Sequence, residues 1–401
     1  MRRLSVSEKS SSRDWGYRAR NALGSAALLM FACGEGASQP HGDYLALAGS
    51  GGVAAAGASG SVNAGNAGVA GVVASAGTAQ GGAPTAGAGG SASGGSAASG
   101  SGGTNQQNPP QASPICPAGP YAPSPLPSSP VVQTVCRGMK LTEGPVWLAD
   151  SGKLLFSNFD AADAANNFPG MIMAYAPGGS CEPFITDAGT NGLALKSRGQ
   201  IVAARQVTHT VAQIDLATKG ITSLASSYMG APFNSPNDVT VRKDGNIYFT
   251  DPAWVPVALP HSLYRRDPNG VLTALPFPER HPNGIALSGD EQQLFLSLDG
   301  PDQILVFDVA TDGSLSNPQQ FAADTSDGMG LDCAGNLYLT GFGSVRVYSP
   351  QGTLLGSIPV PDVMLPDPTN VAFGGPARKT LYITGSSVLR TVELNIPGYP
   401  F

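Results

Sequence analysis

The sequence predicts an all-β protein whose folded part is a six-bladed β-propeller. Three observations lead to this fold class. Beyond residue 140 a pattern of roughly 45 residues recurs six times, each copy contains short strands joined by tight turns, and no stretch keeps a helical period. Several short strands per unit, repeated around a closed ring, are typical of propeller blades.

Each copy begins with a polar lead residue, continues with an alternating strand and a turn, and then enters a second apolar strand. The lead residues are Glu143, Asn191, Asn237, Asn283, Asp327 and Asn370, and their spacings are 48, 46, 46, 44 and 43 residues. Turn sequences such as Lys243–Asn246 lie between the two strands and are typical of hairpins. The segment Val131–Val135, ahead of the first copy, is expected to pair with the last blade and close the ring.

The residues before the domain are of a different kind. Between Ala48 and Gly103, 45 of 56 residues are Gly, Ala or Ser, and none is charged. Such a segment cannot bury enough apolar surface to offset its loss of conformational entropy on folding. We therefore predict three parts: a signal segment at 1–33, a disordered linker at 34–115 and the propeller at 116–401.

The first 33 residues have the layout of a bacterial export signal. Residues 1–20 carry six Lys and Arg, and Ala22–Ala32 is an apolar stretch of 11 residues that ends before Cys33. Eleven residues are too few to span a bilayer, and a small residue before cysteine resembles a lipoprotein signal. We expect an exported lipoprotein of the cell envelope, held at the outer membrane only through lipid on Cys33. The alternative is an ordinary secretory signal with Cys33 as an incidental thiol.

The charge of the folded part limits its classes of partner. Residues 116–401 contain 16 Lys and Arg against 24 Asp and Glu, a formal charge of −8. An acidic domain without a basic stripe argues against nucleic acid as a partner. We expect a monomer that acts on a small molecule.

Four cysteines of the predicted domain form an even set: Cys116, Cys136, Cys181 and Cys333. Disulfides form readily in exported proteins, and four cysteines allow three pairings. A bond between Cys116 and Cys136, across the proline-rich segment between them, is one expectation, but the sequence does not choose among the three.

The lead residues form the candidate site. The first strand of each propeller blade lines the central channel, so six equivalent residues are expected near one mouth. All six offer side-chain oxygen atoms, and two of them, Glu143 and Asp327, are carboxylates. Oxygen ligands with two negative charges suit a hard divalent cation such as Ca²⁺ or Mg²⁺. The alternative is that Asn-Gly and Asp-Gly are only turn dipeptides at the entry of each blade.

Five short segments of the domain carry a family resemblance. They are Glu143–Trp147, Asn234–Asp238, Phe249–Pro252, Pro282–Ser288 and Asp327–Met329. Together they resemble the gluconolactonase and senescence marker protein (regucalcin) family of six-bladed propellers, over residues 135–397. The resemblance implies one catalytic divalent metal on Glu143, Asn283 and Asp327, with Ca²⁺ expected first and Zn²⁺, Mg²⁺ or Mn²⁺ as alternatives. It also implies that Asn237 contacts substrate or a metal-bound water.

Two positions depart from the family pattern, and both concern the pocket wall. Ser235 stands where animal members have an arginine, and Arg205-Gln206 stands where many bacterial members have a Glu-His pair. Arg205 is a candidate contact for an anionic substrate, with an ordinary ion pair as the alternative. His281 is a candidate substrate contact or a solvated residue rather than a base. The predicted substrate-binding set is Asn237, Asn191, Asn370, Arg205 and His281.

We therefore predict a metal-dependent hydrolase of a lactone or a related ester. The metal would polarise the carbonyl and activate water, and Asp327 is the expected base and catalytic residue. The domain has neither the G-x-S-x-G motif of serine hydrolases nor the H-E-x-x-H motif of zinc proteases. The alternative is a secreted, non-catalytic propeller that binds a sugar, a peptide or a cell-wall component.

Overall fold

The computed structural model describes residues 116–159, 170–252, 259–277, 280–300, 302–361 and 367–399. The predicted signal segment, including Cys33, and the predicted linker lie outside these residues and stay predictions. No helix in the described part of the chain is long and apolar enough to cross a membrane. The described residues form 26 β-strands and one short 3-10 helix at Gln206–Thr208.

The strands are numbered in chain order, and four of them build each blade. Blade 1 contains β2 (Leu141–Leu148), β3 (Lys153–Phe159), β4 (Met171–Tyr175) and β5 (Cys181–Ile185). Blade 2 contains β6 (Leu193–Ser197), β7 (Gln200–Arg205), β8 (Thr210–Asp215) and β9 (Ile221–Ala225). Blade 3 contains β12 (Val239–Val241), β13 (Ile247–Asp251), β14 (Ser262–Arg266) and β15 (Leu272–Pro276).

Blade 4 contains β16 (His281–Leu287), β17 (Gln293–Asp299), β18 (Gln303–Val309) and β19 (Leu315–Ala322). Blade 5 contains β20 (Met329–Leu331), β21 (Leu337–Gly341), β22 (Ser344–Tyr348) and β23 (Leu354–Pro359). Blade 6 contains β24 (Val371–Gly374), β25 (Thr380–Gly385), β26 (Val388–Glu393) and β1 (Gln133–Cys136). A separate two-stranded ribbon, β10 (Ser227–Tyr228) with β11 (Ala231–Pro232), lies between blades 2 and 3 in the chain.

The six blades close into a ring, which confirms the predicted fold class. The first strands of neighbouring blades contact one another around the channel, and β24 of blade 6 returns to β2 of blade 1. The segment ahead of the first copy supplies the outermost strand of the last blade, because β1 pairs antiparallel with β26. The prediction that this segment closes the ring is therefore confirmed.

Both disulfide bonds connect parts of the chain that are distant in sequence. Cys116 is bonded to Cys333, and Cys136 is bonded to Cys181. The expected Cys116–Cys136 bond is wrong, because β1 carries Cys136 to the outer edge of blade 6, next to β5 of blade 1. The Cys136–Cys181 bond thus fastens the first blade to the last one.

Loss of the Cys136–Cys181 bond is expected to destabilise the domain by about 4 kcal/mol, since it closes a loop with a sequence separation of 45. The measurement is chemical denaturation of the Cys136→Ser/Cys181→Ser protein beside the parent protein under oxidising conditions. The same double serine substitution at Cys116 and Cys333 serves as the comparison for simple loss of a cross-link. Equal unfolding free energies for parent and Cys136→Ser/Cys181→Ser protein would contradict a stabilising role.

The hydrophobic core is divided into six buried clusters, one between each pair of neighbouring blades. The inner strands supply this core, because successive side chains of a strand point to opposite faces of the blade and so toward a neighbouring blade. Large rings fill the wider gaps: Trp147 of blade 1 stacks on Tyr382 of blade 6 with centroids 5.5 Å apart. The core therefore lies between the blades and holds them together, whereas the lead residues lie at the channel.

Buried hydroxyl groups on the second strands fix the start of the next blade. Ser157 Oγ donates to the carbonyl of Asn191 at 2.6 Å, and Thr340 Oγ1 donates to the carbonyl of Thr369 at 2.7 Å. The backbone N–H of Ser326 donates to Ser297 Oγ at 2.7 Å. Each bond reaches the backbone at or beside the next lead residue. The repeated hydroxyl thus sets where that lead residue enters the channel.

Glycine after a lead residue allows the next blade to come close. A Cβ on Gly144 would lie 2.2 Å from the backbone carbonyl oxygen of Asn191. A Cβ on Gly328 would lie 2.0 Å from Cγ of Asn370. Gly144 also has a φ of 50°, which glycine adopts without strain. Small residues at these points let lead residues from neighbouring blades approach within contact distance.

The C-terminal segment contacts blade 5 at the end of the channel opposite the lead residues. The backbone N–H of Tyr399 donates to the carbonyl of Leu331 at 2.9 Å, and that of Cys333 donates to the carbonyl of Pro397 at 2.8 Å. Leu331 ends the first strand of blade 5, so these bonds lie at the far end from Asp327. The ring of Tyr399 also lines the channel. Tyr399 and the lead residues therefore lie toward opposite ends of the channel.

Candidate active site

The six lead residues lie at one mouth of the channel, where the first strand of each blade begins. Glu143 and Asn283 lie inside β2 and β16, and the other four precede β6, β12, β20 and β24 by one or two residues. All are buried except Asp327, which is partly exposed. The structure therefore collects the predicted ligands and channel residues at the same end of the ring.

Glu143 is held by two hydrogen-bond donors. Its Oε2 accepts from the backbone N–H of Gly144 at 2.7 Å and from Asn370 Nδ2 at 3.1 Å. Asn370 is fixed in turn, because its Oδ1 accepts from the backbone N–H of Val371 at 2.8 Å. Asn370, which the sequence assigns to substrate binding, thus holds the carboxylate of a predicted metal ligand.

Asn283 lies between two carboxyl groups. Its Nδ2 donates to Asp299 Oδ2 at 3.3 Å, and its amide also hydrogen-bonds the carboxyl of Asp327. Its Oδ1 is buried and has no hydrogen-bond partner among the described residues. A buried acceptor without a donor is costly, so this atom is a point where a ligand would be stabilised.

Asp238 is a site residue that the sequence analysis missed. Its Oδ1 accepts from the backbone N–H of Val239 at 3.0 Å, and its Oδ2 accepts from that of Ile285 at 3.2 Å. A further hydrogen bond from Asn370 reaches it from the opposite side of the ring. One signal was present in the sequence: after the lead residue, blade 3 carries an acid where four other blades carry glycine.

The carboxyl groups at this mouth share a strongly perturbed environment. Burial raises the pKa of Asp238 to about 7. Burial also raises the pKa of Glu143, and the nearby charge of Asp238 adds to the shift. For Asp327, burial raises the pKa well above its usual range, and the charges of Glu143 and Asp299 raise it further. Burial and mutual repulsion therefore disfavour the ionised forms of these carboxyl groups, and a nearby cation would favour them.

A divalent cation fits this arrangement on two observations. The unpartnered Oδ1 of Asn283 is a neutral oxygen ligand, and the carboxyl groups of Glu143 and Asp327 take part in none of the ion pairs found in the described part of the chain. No three His, Cys, Asp or Glu side chains of the described residues converge as a metal cage. The predicted ligands are accordingly two carboxylates and one amide, an all-oxygen set that suits a hard cation.

Asn191 and Arg205 lie on the blade 2 side of the mouth. Asn191 Nδ2 donates to Gln206 Oε1 at 2.9 Å, while its buried Oδ1 has no hydrogen-bond partner among the described residues. Arg205 Nε donates to the carbonyl of Ala188 at 2.6 Å. Burial lowers the pKa of Arg205, and the charge of Asp187 opposes this. The role of Arg205 toward an anionic substrate stays a prediction.

His281 is paired with a second imidazole that the sequence did not connect with it. Its ring and that of His261 meet edge to face, with centroids 4.4 Å apart. Burial lowers the pKa of His261, and the neighbouring His281 adds to the effect. His281 also lies opposite Asp299 in the β16–β17 pairing. The two rings therefore border the mouth beside Asn283, and substrate contact by His281 stays a prediction.

The loop that carries Asn237 is held by Asp251. The backbone N–H groups of Asn234 and Ser235 donate to the two Asp251 oxygens at 2.9 and 2.7 Å. Burial raises the pKa of Asp251 to about 6 against these bonds. The Asn237 side chain is buried at the end of this loop. Asp251 therefore orders the loop, and contact of Asn237 with substrate stays a prediction.

Beneath the lead residues the channel continues as a cavity of about 40 Å³, which has room for about three water molecules. Asp238 and Asn370 provide polar groups in its lining. Most of the remaining lining is apolar and includes Met329, Phe373 and Tyr399. The polar chemistry of the channel is thus concentrated at the mouth where the lead residues lie.

The chain is similar to proteins that are named as lactonases. A gluconolactonase of Zymomonas mobilis is 29% identical over 255 residues, which cover 57% of this chain and 72% of that protein. A pentonolactonase of Haloferax volcanii is 26% identical over 266 residues, which cover 63% of this chain and 83% of that protein. A solved gluconolactonase structure from Xanthomonas campestris has a TM-score of 0.57 at 28% identity, covering 69% of this chain and 98% of that one.

The family itself follows from a match over the propeller. Residues 141–387 match the SMP-30/gluconolactonase/LRE-like region, from the first strand of blade 1 to the last hairpin of blade 6. The matched part contains all six lead residues and more than half of the chain. The resemblance carried by the five sequence segments is thereby confirmed, and the chain belongs to the SMP-30/gluconolactonase/LRE-like family.

Proposed function

We propose that this protein hydrolyses a lactone at the channel mouth with a divalent cation held by Glu143, Asn283 and Asp327. The observation that carries the proposal is the buried Oδ1 of Asn283, which has no hydrogen-bond partner among the described residues, at the mouth where Glu143 and Asp327 form none of the ion pairs found in those residues. The names of the gluconolactonase and pentonolactonase relatives support a sugar lactone as the class of substrate. Ca²⁺ is the first choice, because every proposed ligand atom is oxygen.

The protein groups have separate tasks in this proposal. A bound cation would supply Lewis-acid polarisation of the lactone carbonyl. We assign the carboxyl of Asp327, a lead residue at this mouth, as the group that accepts the proton of an attacking water. Asn191 offers a buried, unsatisfied oxygen that would accept a hydrogen bond from a sugar hydroxyl. Asn237 and Asn370 lie around the same mouth.

Removal of metal is expected to abolish most of the lactonase activity. The test follows acid release from a panel of aldonolactones by the purified protein, before and after treatment with a chelator. We expect at least a tenfold loss, restored by Ca²⁺ or by one of Zn²⁺, Mg²⁺ and Mn²⁺. Metal at 100 times its dissociation constant should also stabilise the fold by about 2.7 kcal/mol, visible as a higher melting temperature.

Two outcomes would contradict the proposal in different ways. If the protein neither retains nor takes up any of the four cations, the proposed cation site is wrong. A protein that binds metal but hydrolyses none of the lactones would favour the non-catalytic propeller. Measuring metal content and hydrolysis on the same preparation separates these cases.

A further inference from the structure

Asp299 lies beside the proposed cation site but belongs to none of the predicted ligands. It ends β17, the strand that pairs with β16, and Asn283 lies in β16. The pairing is irregular between Pro282 and Ile285, which is where Asn283 lies. Asp299 lies opposite His281, which precedes Asn283 by two residues. Asp299 and Asn283 are therefore diagonal neighbours whose side chains meet across the two strands.

The contact between the two side chains has a defined direction. A carboxylate accepts hydrogen bonds, whereas an amide has a donating NH₂ side and an accepting oxygen side. Asn283 Nδ2 donates to Asp299 Oδ2 at 3.3 Å, and the same amide hydrogen-bonds the carboxyl of Asp327. The NH₂ side of the amide is thus the side that interacts with carboxyl groups. The Oδ1 atom is left on the remaining side, buried and without a hydrogen-bond partner among the described residues.

Asp299 is itself held in place. Thr325 Oγ1 donates to Asp299 Oδ1, and it also lies 3.2 Å from Ser297 Oγ. The carbonyl of Thr325 accepts from Arg346 Nη2 at 2.5 Å. Because the Thr325 hydroxyl bonds Oδ1, the other oxygen, Oδ2, accepts from the Asn283 amide. The side chains of blades 4 and 5 thereby fix Asp299 before any ligand arrives.

We propose that Asp299 is a positioning residue for cation binding: it orients the Asn283 amide so that Oδ1 is presented as a ligand. The inference rests on the proposed function, because it concerns the same cation site. The geometry supports this role, because Asp299 accepts from the Asn283 amide through one oxygen and is held by the Thr325 hydroxyl through the other.

The test compares two Asp–Asn contacts in the same chain, one partly buried and one buried. Asp299 contacts Asn283 at the lead-residue mouth, and Asp332 accepts from Asn336 Nδ2 at 2.8 Å at the end of the first strand of blade 5. Asp299→Ala and Asp332→Ala proteins are titrated with Ca²⁺ by calorimetry, and their melting temperatures are measured without metal. We expect Asp299→Ala to weaken Ca²⁺ binding about 10–100-fold. Asp332→Ala should keep the affinity but lower the metal-free melting temperature.

A second pair of variants tests the hydrogen bond from Thr325 to Asp299 without removing the Asp299 carboxyl. Thr325→Val removes the hydroxyl that donates to Asp299 and keeps the shape of the side chain, whereas Thr325→Ser keeps the hydroxyl. Weaker Ca²⁺ binding in Thr325→Val together with near-parental binding in Thr325→Ser would support the inference, even where Asp299→Ala does not fold. Parental affinity in both Asp299→Ala and Thr325→Val would overturn it. If the parent protein binds none of Ca²⁺, Zn²⁺, Mg²⁺ and Mn²⁺, the proposed function fails and this inference with it.

Discussion

Asp327→Asn is expected to abolish lactone hydrolysis and, in the absence of metal, to make the protein more stable. The two effects have opposite signs because the carboxylate has a proposed role in hydrolysis, whereas its ionisation lowers the stability of the metal-free fold. Removal of a proposed ligand that is also the proposed base should cost more than the ~10–100-fold typical of an outer-shell partner. Hydrolysis at saturating Ca²⁺ and Ca²⁺ affinity are the two measurements of function.

The stability effect follows from the sign of the pKa shift. Burial first, and then the charges of Glu143 and Asp299, raise the pKa of Asp327 in the folded protein. A carboxyl whose pKa is raised on folding costs stability once the pH exceeds its unfolded pKa. A neutral amide removes that cost, so the melting temperature of metal-free Asp327→Asn should exceed that of the parent at pH 7 and match it near pH 3.

The matched control is Asp332→Asn at the other end of the same strand. Burial raises the pKa of Asp332 as well, but this carboxyl accepts hydrogen bonds from Asn336 and Tyr338. Both oxygens of Asp332 accept hydrogen bonds, and an amide has only one accepting oxygen, so Asp332→Asn should lose bonds, lower stability and leave hydrolysis intact. Hydrolysis by Asp327→Asn at the parental rate, with Ca²⁺ bound, would remove Asp327 from the proposed mechanism.

Arg390→Met is expected to destabilise the fold by about 3–5 kcal/mol at neutral pH. Arg390 Nη1 lies 3.2 Å from Asp367 Oδ2, and the two side chains are only 2% and 0% exposed. Methionine would occupy similar space but leave the Asp367 carboxylate buried without its counter-ion. The measurement is the free energy of unfolding from urea denaturation of the variant and the parent protein.

The pH dependence of this loss identifies its cause. Burial raises the pKa of Asp367 and Arg390 opposes that shift, so the pKa should rise further in Arg390→Met. A raised pKa means that stability is lost as the pH increases through it. The destabilisation should therefore be largest near pH 8 and shrink toward pH 4. Adding Asp367→Asn should restore part of the loss, whereas a pH-independent loss would show that packing, not charge, is responsible.

Ring closure shows how far local sequence patterns reach in this protein. The polar lead residues, the turn dipeptides and the alternating strands predicted six blades, and the structure has six four-stranded sheets. These features are local, because strand and turn preferences depend on neighbouring residues. The run Val131–Val135 carried the same local signal, and it supplies the closing strand β1.

The pairing of the cysteines could not be predicted from local sequence patterns. Their pairing depends on which strand edges become neighbours, and Cys136 meets Cys181 only because the first strand of the chain is inserted into the last blade. Sequence spacing favoured the nearer partner, Cys116. Cysteine spacing alone contains no information on the distance between blade edges in the closed ring.

The sequence by itself determined the repeat, the fold class, the family and the six polar lead residues, because each is written in short segments of chain. The tertiary structure alone decided their partners. Glu143 and Asn370 are 227 residues apart, yet ring closure brings them to 3.1 Å, and the pairing of β16 with β17 brings Asn283 to Asp299. Side-chain partners across a ring depend on distances between blades, which no local pattern encodes. For this reason Asp238 and Asp299 became part of the site only once the blades were in place.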